Sequence, residues 1–252
     1  PPPKPDAVWV VYEYAGLNTV ASYAAMPPAV RRSQLPPVKK FFGFQDPSPL
    51  PPFRTRGNYV INGIIKGMIE AVATMHEAGF CHKSISGNSF VLTAPNSQDK
   101  REPSTIYFTR TAGLSVKLQD FGFSCRLDDV SQIDPEFVGR ARSFGFSFRE
   151  GETSIDTTNF AMAEDMYALG FVVLGLLLTS LSEADDAQSM PQTDEDTLQR
   201  LLGEIFANDF SKFREYIKEE EVWDSLVELL DDNDGAGWTV LETLFNAREK
   251  VA

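Results

Sequence analysis

The stretch Met75-His76-Glu77-Ala78-Gly79-Phe80-Cys81-His82-Lys83-Ser84-Ile85-Ser86-Gly87-Asn88-Ser89 decides how the chain is read, because it closes an amphipathic run and opens a polar loop. Upstream, Ile61, Ile64, Ile65, Met68, Ile69, Val72 and Met75 recur at three- and four-residue steps from Tyr59 onward, which predicts a helix with one apolar face. Gly79 ends that helix, since glycine takes the left-handed conformation that helix C-termini favour. The loop from Cys81 to Asn88 follows, and Phe90-Val91-Leu92-Thr93 reads as a short strand. Further on, the β-like run Val116-Lys117-Leu118-Gln119 leads into Asp120-Phe121-Gly122. Most of the functional reading rests on those two places.

Composition narrows the classes. A chain of 252 residues with 42% apolar and 12% aromatic residues can bury a sizeable core, as one large domain or two small ones. A net charge of −13 argues against nucleic acid or an anionic membrane as partner, since both recruit faces rich in Lys and Arg. The two cysteines, Cys81 and Cys125, allow at most one disulfide and no zinc cluster, and the two histidines add little ligand capacity. That usage points to a reducing, intracellular compartment. The longest apolar run, residues 166–178, is shorter than the ~20 residues that cross a bilayer, so it reads as a buried core helix and no membrane span is expected. The opening Pro1-Pro2-Pro3-Lys4-Pro5-Asp6 carries neither a signal nor a transit pattern.

In chain order, residues 7–14 are rich in β-branched and aromatic side chains and predict a strand that stops at Ala15-Gly16. A short helix is expected over residues 17–26, starting at Asn18 or Thr19 and stopped by Pro27-Pro28. Residues 33–56 are proline-rich, with Phe41, Phe42, Phe44 and Phe53 among them, and read as an extended loop whose rings pin it to the body or mark a partner surface. Residues 94–113 read as an exposed insertion, and residues 123–159, which carry Phe137, Phe144, Phe146 and Phe148 beside Arg140, Arg142 and Arg149, as a long loop. A buried helix over residues 160–179 and a mobile acidic linker over residues 182–195 come next. Apolar faces then mark helices at residues 198–206, 223–230 and 238–245. The sum is a mainly α body with a short β-pair and an edge strand.

The order of these pieces resembles the C-terminal lobe of the eukaryotic protein kinases, over nearly the whole chain. Residues 75–82 look like the family's Leu-His-x-x-Gly-x-x-His run, and Lys117-Leu118-Gln119-Asp120-Phe121-Gly122 looks like its strand into the Asp-Phe-Gly motif. Asp165-Met166-Tyr167-Ala168-Leu169-Gly170 is similar to the Asp-x-x-(Ser/Ala)-x-Gly start of the family's central helix. On this resemblance residues 1–16 are a remnant strand and hinge of an N-terminal lobe not present in this chain. Residues 17–252 are the kinase-like C-lobe, with insertions at about 27–57, 94–113, 130–158 and 182–195. The family's Ala-Pro-Glu motif has its nearest counterpart in Asp134-Pro135-Glu136, too far before Asp165 without an insertion. The arginine that would pair with that glutamate, expected near Gly237-Trp238-Thr239, is missing as well. Losing both partners leaves no buried charge unpaired, and Trp238 fills the space.

The resemblance assigns each charge of the loop a task, because phosphoryl transfer is mostly positioning and charge stabilisation. His82 matches the family's histidine and Lys83 replaces its arginine. Ser84 stands where the proton acceptor belongs, Ser86 where the lysine belongs and Ser89 where the magnesium-binding asparagine belongs, with Asn88 one position early. A serine hydroxyl is too weak a base to replace a carboxylate, and general-base catalysis contributes about 10²–10⁴-fold. No catalytic set is therefore intact. Asp120 matches the magnesium-binding aspartate, but one carboxylate without its partner amide is a poor site. His82, Phe121, Gly122 and Asp165 match residues that hold the frame, and Glu13, Tyr14 and Ala15 match the nucleotide-binding hinge. Neither a glycine-rich loop nor the strand lysine that meets the phosphates is found.

The implied function is that of a pseudokinase acting as a scaffold, assembly or regulatory subunit for protein partners, including a large assembly. No cofactor is expected. The partner surface is expected on Phe137, Phe144, Phe146 and Phe148, since aromatics and arginines are enriched at interface hot spots. One alternative is an atypical serine/threonine kinase that binds ATP and magnesium and uses Asp128 or Asp129 as the base. Another is a module that senses ATP without catalysis. Overall similarity to divergent kinase-like proteins of plants and algae, some plastid-directed, adds the chloroplast as an expected location.

Overall fold

The computed structural model describes residues 15–25, 38–39, 45–46, 53–93, 114–134, 136–183 and 193–249. Of the two starts the sequence offers, Asn18 and Thr19, helix α1 (Val20–Ala24) is capped by Thr19: its hydroxyl accepts from the Ser22 N–H and the Ser22 hydroxyl from the Thr19 N–H. The two-residue strands β1 (Val38–Lys39) and β2 (Gln45–Asp46) pair antiparallel. Helix α2 (Phe53–Asn58) runs through a π-helical stretch, Tyr59–Ile65, into α3 (Lys66–Glu77). The helix thus starts within residues read as proline-rich loop, because the last prolines, Pro51 and Pro52, precede it. Its buried face comprises Tyr59, Val60, Ile64, Ile65, Met68, Val72 and Met75; of the stripe read from the sequence, Ile61 and Ile69 are only partly buried. Gly79, at φ +84°, donates its N–H to the His76 carbonyl and ends it.

Four short strands follow. β4 (Phe90–Thr93) pairs antiparallel with β5 (Ser115–Leu118), and β3 (Phe80–Cys81) pairs antiparallel with β6 (Cys125–Arg126). On its other side β4 is held by the Leu92 N–H on the Asn18 carbonyl, 2.8 Å, and by a bridge between Thr19 and Val91. Strands β3 and β6 were not expected, since two residues are too few to show an alternation.

Helix α6 (Ile155–Ser180) is the axis of the fold; Ser154 and Thr157 form a capping box at its start, which places that start before the apolar run begins. By length and composition α6 could cross a bilayer, but 72% of its apolar window is buried in the protein's own core. Around it pack α3, α7 (Glu195–Arg200) with the π-helical Leu201–Ile205, α8 (Phe210–Lys218) and α9 (Asp224–Phe245). The Trp223 indole N–H donates to the Leu178 carbonyl at 2.9 Å, and Phe171 meets Phe245 edge to face at 4.9 Å. Helix α9 breaks at Asp232–Gly235, where Asn233, Asp234 and Gly235 take positive φ, which Asn, Asp and Gly tolerate best. Helix α8, with Phe210, Phe213 and Ile217 buried, is an addition to the three terminal helices expected.

Residues 123–159 are not one long loop. They hold β6, α4 (Val130–Ile133) and α5 (Phe137–Ser143), helices too short to display a period. The partner surface expected there is corrected as well. Phe137, Phe146 and Phe148 are buried and Phe144 packs beside them, in a second core cluster with Phe160, Cys81, Cys125 and Leu127. Phe160 gathers the rings, 5.3 Å from Phe137 and 5.1 Å from Phe146. Burying these rings removes far more apolar surface from water than a loop facing solvent could.

The described architecture is mainly helical with small two-stranded sheets, as expected. The expected strand over residues 7–14 and the 94–113 insertion lie outside the described residues, as do Phe41, Phe42 and Phe44.

Close approach of α3 to β5 gives a test. A Cβ on Gly67 would lie 2.6 Å from Val116 Cγ2 and 3.0 Å from its Cβ. Val116 is β-branched and cannot swing away freely. Gly67→Ala is therefore expected to lower stability by about 1–2 kcal/mol, although Ala gains ~1 kcal/mol in helix propensity. Thermal denaturation checks this, and adding Val116→Ala should recover part of the loss.

Candidate functional site

The loop after β3 is organised by one carboxylate. Asp165, on α6 and 2% exposed, accepts the His82 N–H on Oδ2 at 2.7 Å and the Lys83 N–H on Oδ1 at 2.8 Å. His76 Nε2, from the end of α3, lies 3.0 Å from Oδ2. Lys83 sits at φ +66°, a left-handed turn in the same dipeptide whose N–H groups meet this carboxylate.

His82 carries the linkage further. Its Nε2 is 2.9 Å from the Gln119 carbonyl, so that nitrogen bears the hydrogen, while Nδ1 is buried with no partner. The imidazole packs against Phe121 with ring centroids 5.5 Å apart, and the Ser124 hydroxyl donates to the His82 carbonyl. Asp165, His82 and Phe121 thus come together as the sequence predicts. Gly122 lies in the exposed turn Phe121–Phe123, preceded by Asp120 in a left-handed conformation (φ 65°, ψ 54°) with its side chain exposed and capping nothing.

Two serines of the loop, Ser86 and Ser89, hold its own backbone. The Ser86 hydroxyl accepts from the Asn88 N–H, the buried Ser89 hydroxyl accepts from the Ser86 N–H at 3.1 Å, and Ser89 Oγ donates to the Ser84 carbonyl at 3.1 Å. These bonds cap the short turn Gly87–Ser89. Asn88 accepts from Thr19 through Oδ1 and from the Gln119 amide through its carbonyl. The Gly87 N–H donates to Glu195 Oε1 at 2.7 Å. Burial pushes the Glu195 carboxyl above the usual value, partly offset by that N–H. Thr193, Asp194 and Glu195, placed in a mobile linker by their composition, therefore belong to the packed body, with Asp194 capping α7.

A cleft of about 460 Å³ opens beside the loop, lined among others by Lys83, Ser84, Asp134, Arg140, Glu164 and Arg248. Lys83 Nζ is 3.2 Å from Asp134 Oδ2, and the Arg140 guanidinium reaches both Asp134 (3.0 Å) and Glu164 (2.7 Å). Burial pushes the Asp134 carboxyl up, but Arg140 and Lys83 outweigh it and hold the group below the usual carboxylate value. The hydrogen bonds to Glu164 lead in raising the Arg140 value. Arg248 is stacked over Tyr167, and burial lowers its value.

Of the other expected site residues, Ala15 accepts the Thr93 hydroxyl through its carbonyl, while Glu13 and Tyr14 lie outside the described residues. Asp120, Asp128 and Asp129 do not line the cleft that holds Ser84. Among the described residues no group of three His, Cys, Asp or Glu side chains could hold a metal ion. Sequence reasoning missed His76 as a partner of Asp165, although it stands in the stretch that decides the fold. It also missed the Lys83–Asp134–Arg140–Glu164 network with Arg248 beside it, because pairs such as Lys83 with Asp134 and Arg140 with Glu164 lie too far apart in sequence to leave a spacing signal. No family model, curated protein or solved structure matches the chain.

A pH dependence follows from Asp134. Its depressed value means that the stability it contributes is complete above the ordinary carboxylate pKa of about 4 and is lost as pH falls through the lower folded value. Proteolytic cleavage within residues 125–150 is expected to rise below about pH 4. Asp134→Asn should show raised cleavage already at neutral pH, with a flatter response to acid.

Proposed function

We propose that this protein is a pseudokinase: a chain with the C-lobe frame of a protein kinase that acts as a scaffold, assembly or regulatory subunit through protein contacts. The observation that carries this reading is the contrast within one loop. Asp165 still holds the His82 and Lys83 amides, the bonds a loop needs to present side chains in fixed positions. Yet the side chains so presented do not perform phosphoryl transfer. Ser86 and Ser89 spend their hydroxyls on the backbone of their own turn. In the cleft, Ser84 is flanked by a carboxylate, Asp134, that is already paired with Lys83 and Arg140. A base committed to two cations accepts a proton poorly, so Asp134 does not replace the missing general base.

Asp120 supports the same reading. It is solvent-exposed and forms no metal-binding group with other described carboxylates, imidazoles or thiols. Magnesium needs near-octahedral oxygen ligation, which a lone carboxylate supplies only with phosphates already held by other groups.

Incubation with radiolabelled ATP, magnesium and a generic protein substrate tests the proposal. Transfer no higher than that of Asp120→Asn is expected, and transfer that Asp120→Asn abolishes would establish an atypical kinase instead. A thermal shift on the same protein separates the third possibility. Binding at a hundred times Kd stabilises by roughly 2.7 kcal/mol. A shift of that size with ATP and magnesium, without transfer, would mark an ATP-sensing module; none is expected at millimolar ATP.

A further inference from the structure

We infer that Cys81 and Cys125 form a dithiol placed to close into a disulfide, locking the His82 loop to the turn that carries Phe121. The two residues are register partners across β3 and β6, with Sγ atoms 3.5 Å apart. Two positions along the ladder the Leu127 N–H donates to the Gly79 carbonyl, so Gly79 and Leu127 are a hydrogen-bonded pair and, by alternation, so are Cys81 and Cys125. Cα atoms of such pairs are about 5.5 Å apart, within the roughly 4.4–6.8 Å that disulfides span. Directly opposite residues also project to one face of the strand pair. Closing the bond therefore needs a sulfur movement of about 1.5 Å and no change of register.

Neither thiol takes part in the site chemistry described above, and both face the second core cluster. Yet Cys81 immediately precedes His82, and Cys125 follows Ser124, which bonds the His82 carbonyl. A bond here would add a covalent link to the β3–β6 ladder, the buried cluster and the His82–Phe121 stack that hold the two segments together.

The oxidant is a small-molecule disulfide of the glutathione type. Cys125, the more exposed of the pair, attacks it as thiolate, forming a mixed disulfide and releasing one small thiol. Cys81 then gives up its proton and attacks the Cys125 sulfur, expelling the second small thiol. Two protein thiols are oxidised and one disulfide is reduced to two thiols, so two electrons and two protons are transferred. Burial, with the neighbouring Cys125 next in effect and Asp165 a further contributor, pushes the Cys81 thiol well above its usual value. Closure is accordingly slow at neutral pH and faster in mildly alkaline solution.

Peptide mapping under non-reducing conditions, after treating the chain with oxidised glutathione, tests this directly. A Cys81–Cys125 cross-linked peptide is expected, formed within one chain. The melting temperature should rise by roughly 5–10 °C, because the bond closes a long loop, and dithiothreitol should reverse it. Cys125→Ala should show neither change. Mixed disulfides alone, cross-links between chains, or unmodified thiols after unfolding-free incubation at alkaline pH would overturn the inference. The peptide map on the unsubstituted chain decides even if the variant folds poorly.

Discussion

One buried carboxylate fixes the geometry on which the candidate site depends. Asp165 is desolvated on α6, and it is satisfied by two consecutive backbone N–H groups and the His76 imidazole. A buried carboxylate is tolerable only with partners of that kind, and the same bonds force Lys83 into a left-handed turn. From that turn His82 reaches back to Gln119 and Phe121, so the helix core, the loop and the 119–124 turn become one connected unit. The capping bonds of Ser86 and Ser89 then set the path of the chain into β4.

The loop is thus well ordered by its own hydrogen bonds. The Ser86 and Ser89 hydroxyls face their own backbone, and the charged cleft next to them is close to internal neutrality, with Lys83, Arg140 and Arg248 set against Asp134, Glu164 and Asp165. Such a network pins the residues between β6 and α6. It also explains where the aromatic segment went: with Arg140 bound to Glu164, α5 lies against α6 and its phenylalanines turn inward around Phe160.

What the sequence disclosed follows the range of the interactions. The amphipathic stripe from Tyr59 to Met75, the stop at Gly79 and the apolar run in α6 are local signals, and each was legible; the start of α1 was legible only as Asn18 or Thr19. Asp165, His82 and Phe121 were legible as a group only through a resemblance in motif order, since no local rule links positions so far apart. The Phe137 to Phe148 segment misled because composition does not distinguish rings that bind a partner from rings that form a small core; burial decides it. Lys83–Asp134 and Arg140–Glu164 were invisible for the same reason, and the two-residue strands that align Cys81 with Cys125 are too short to carry a pattern.

If Asp165 is the anchor, the His82 and Lys83 amides are buried under its carboxylate and open only when the loop lifts from α6. Native-state hydrogen exchange followed by NMR at these two amides tests that most directly. The account predicts that both exchange as slowly as the amides of α6 and that Asp165→Asn speeds them by at least about tenfold while the α6 amides change less. Exchange of His82 and Lys83 at the rates of exposed loop residues such as Asn88, unaffected by Asp165→Asn, would contradict it.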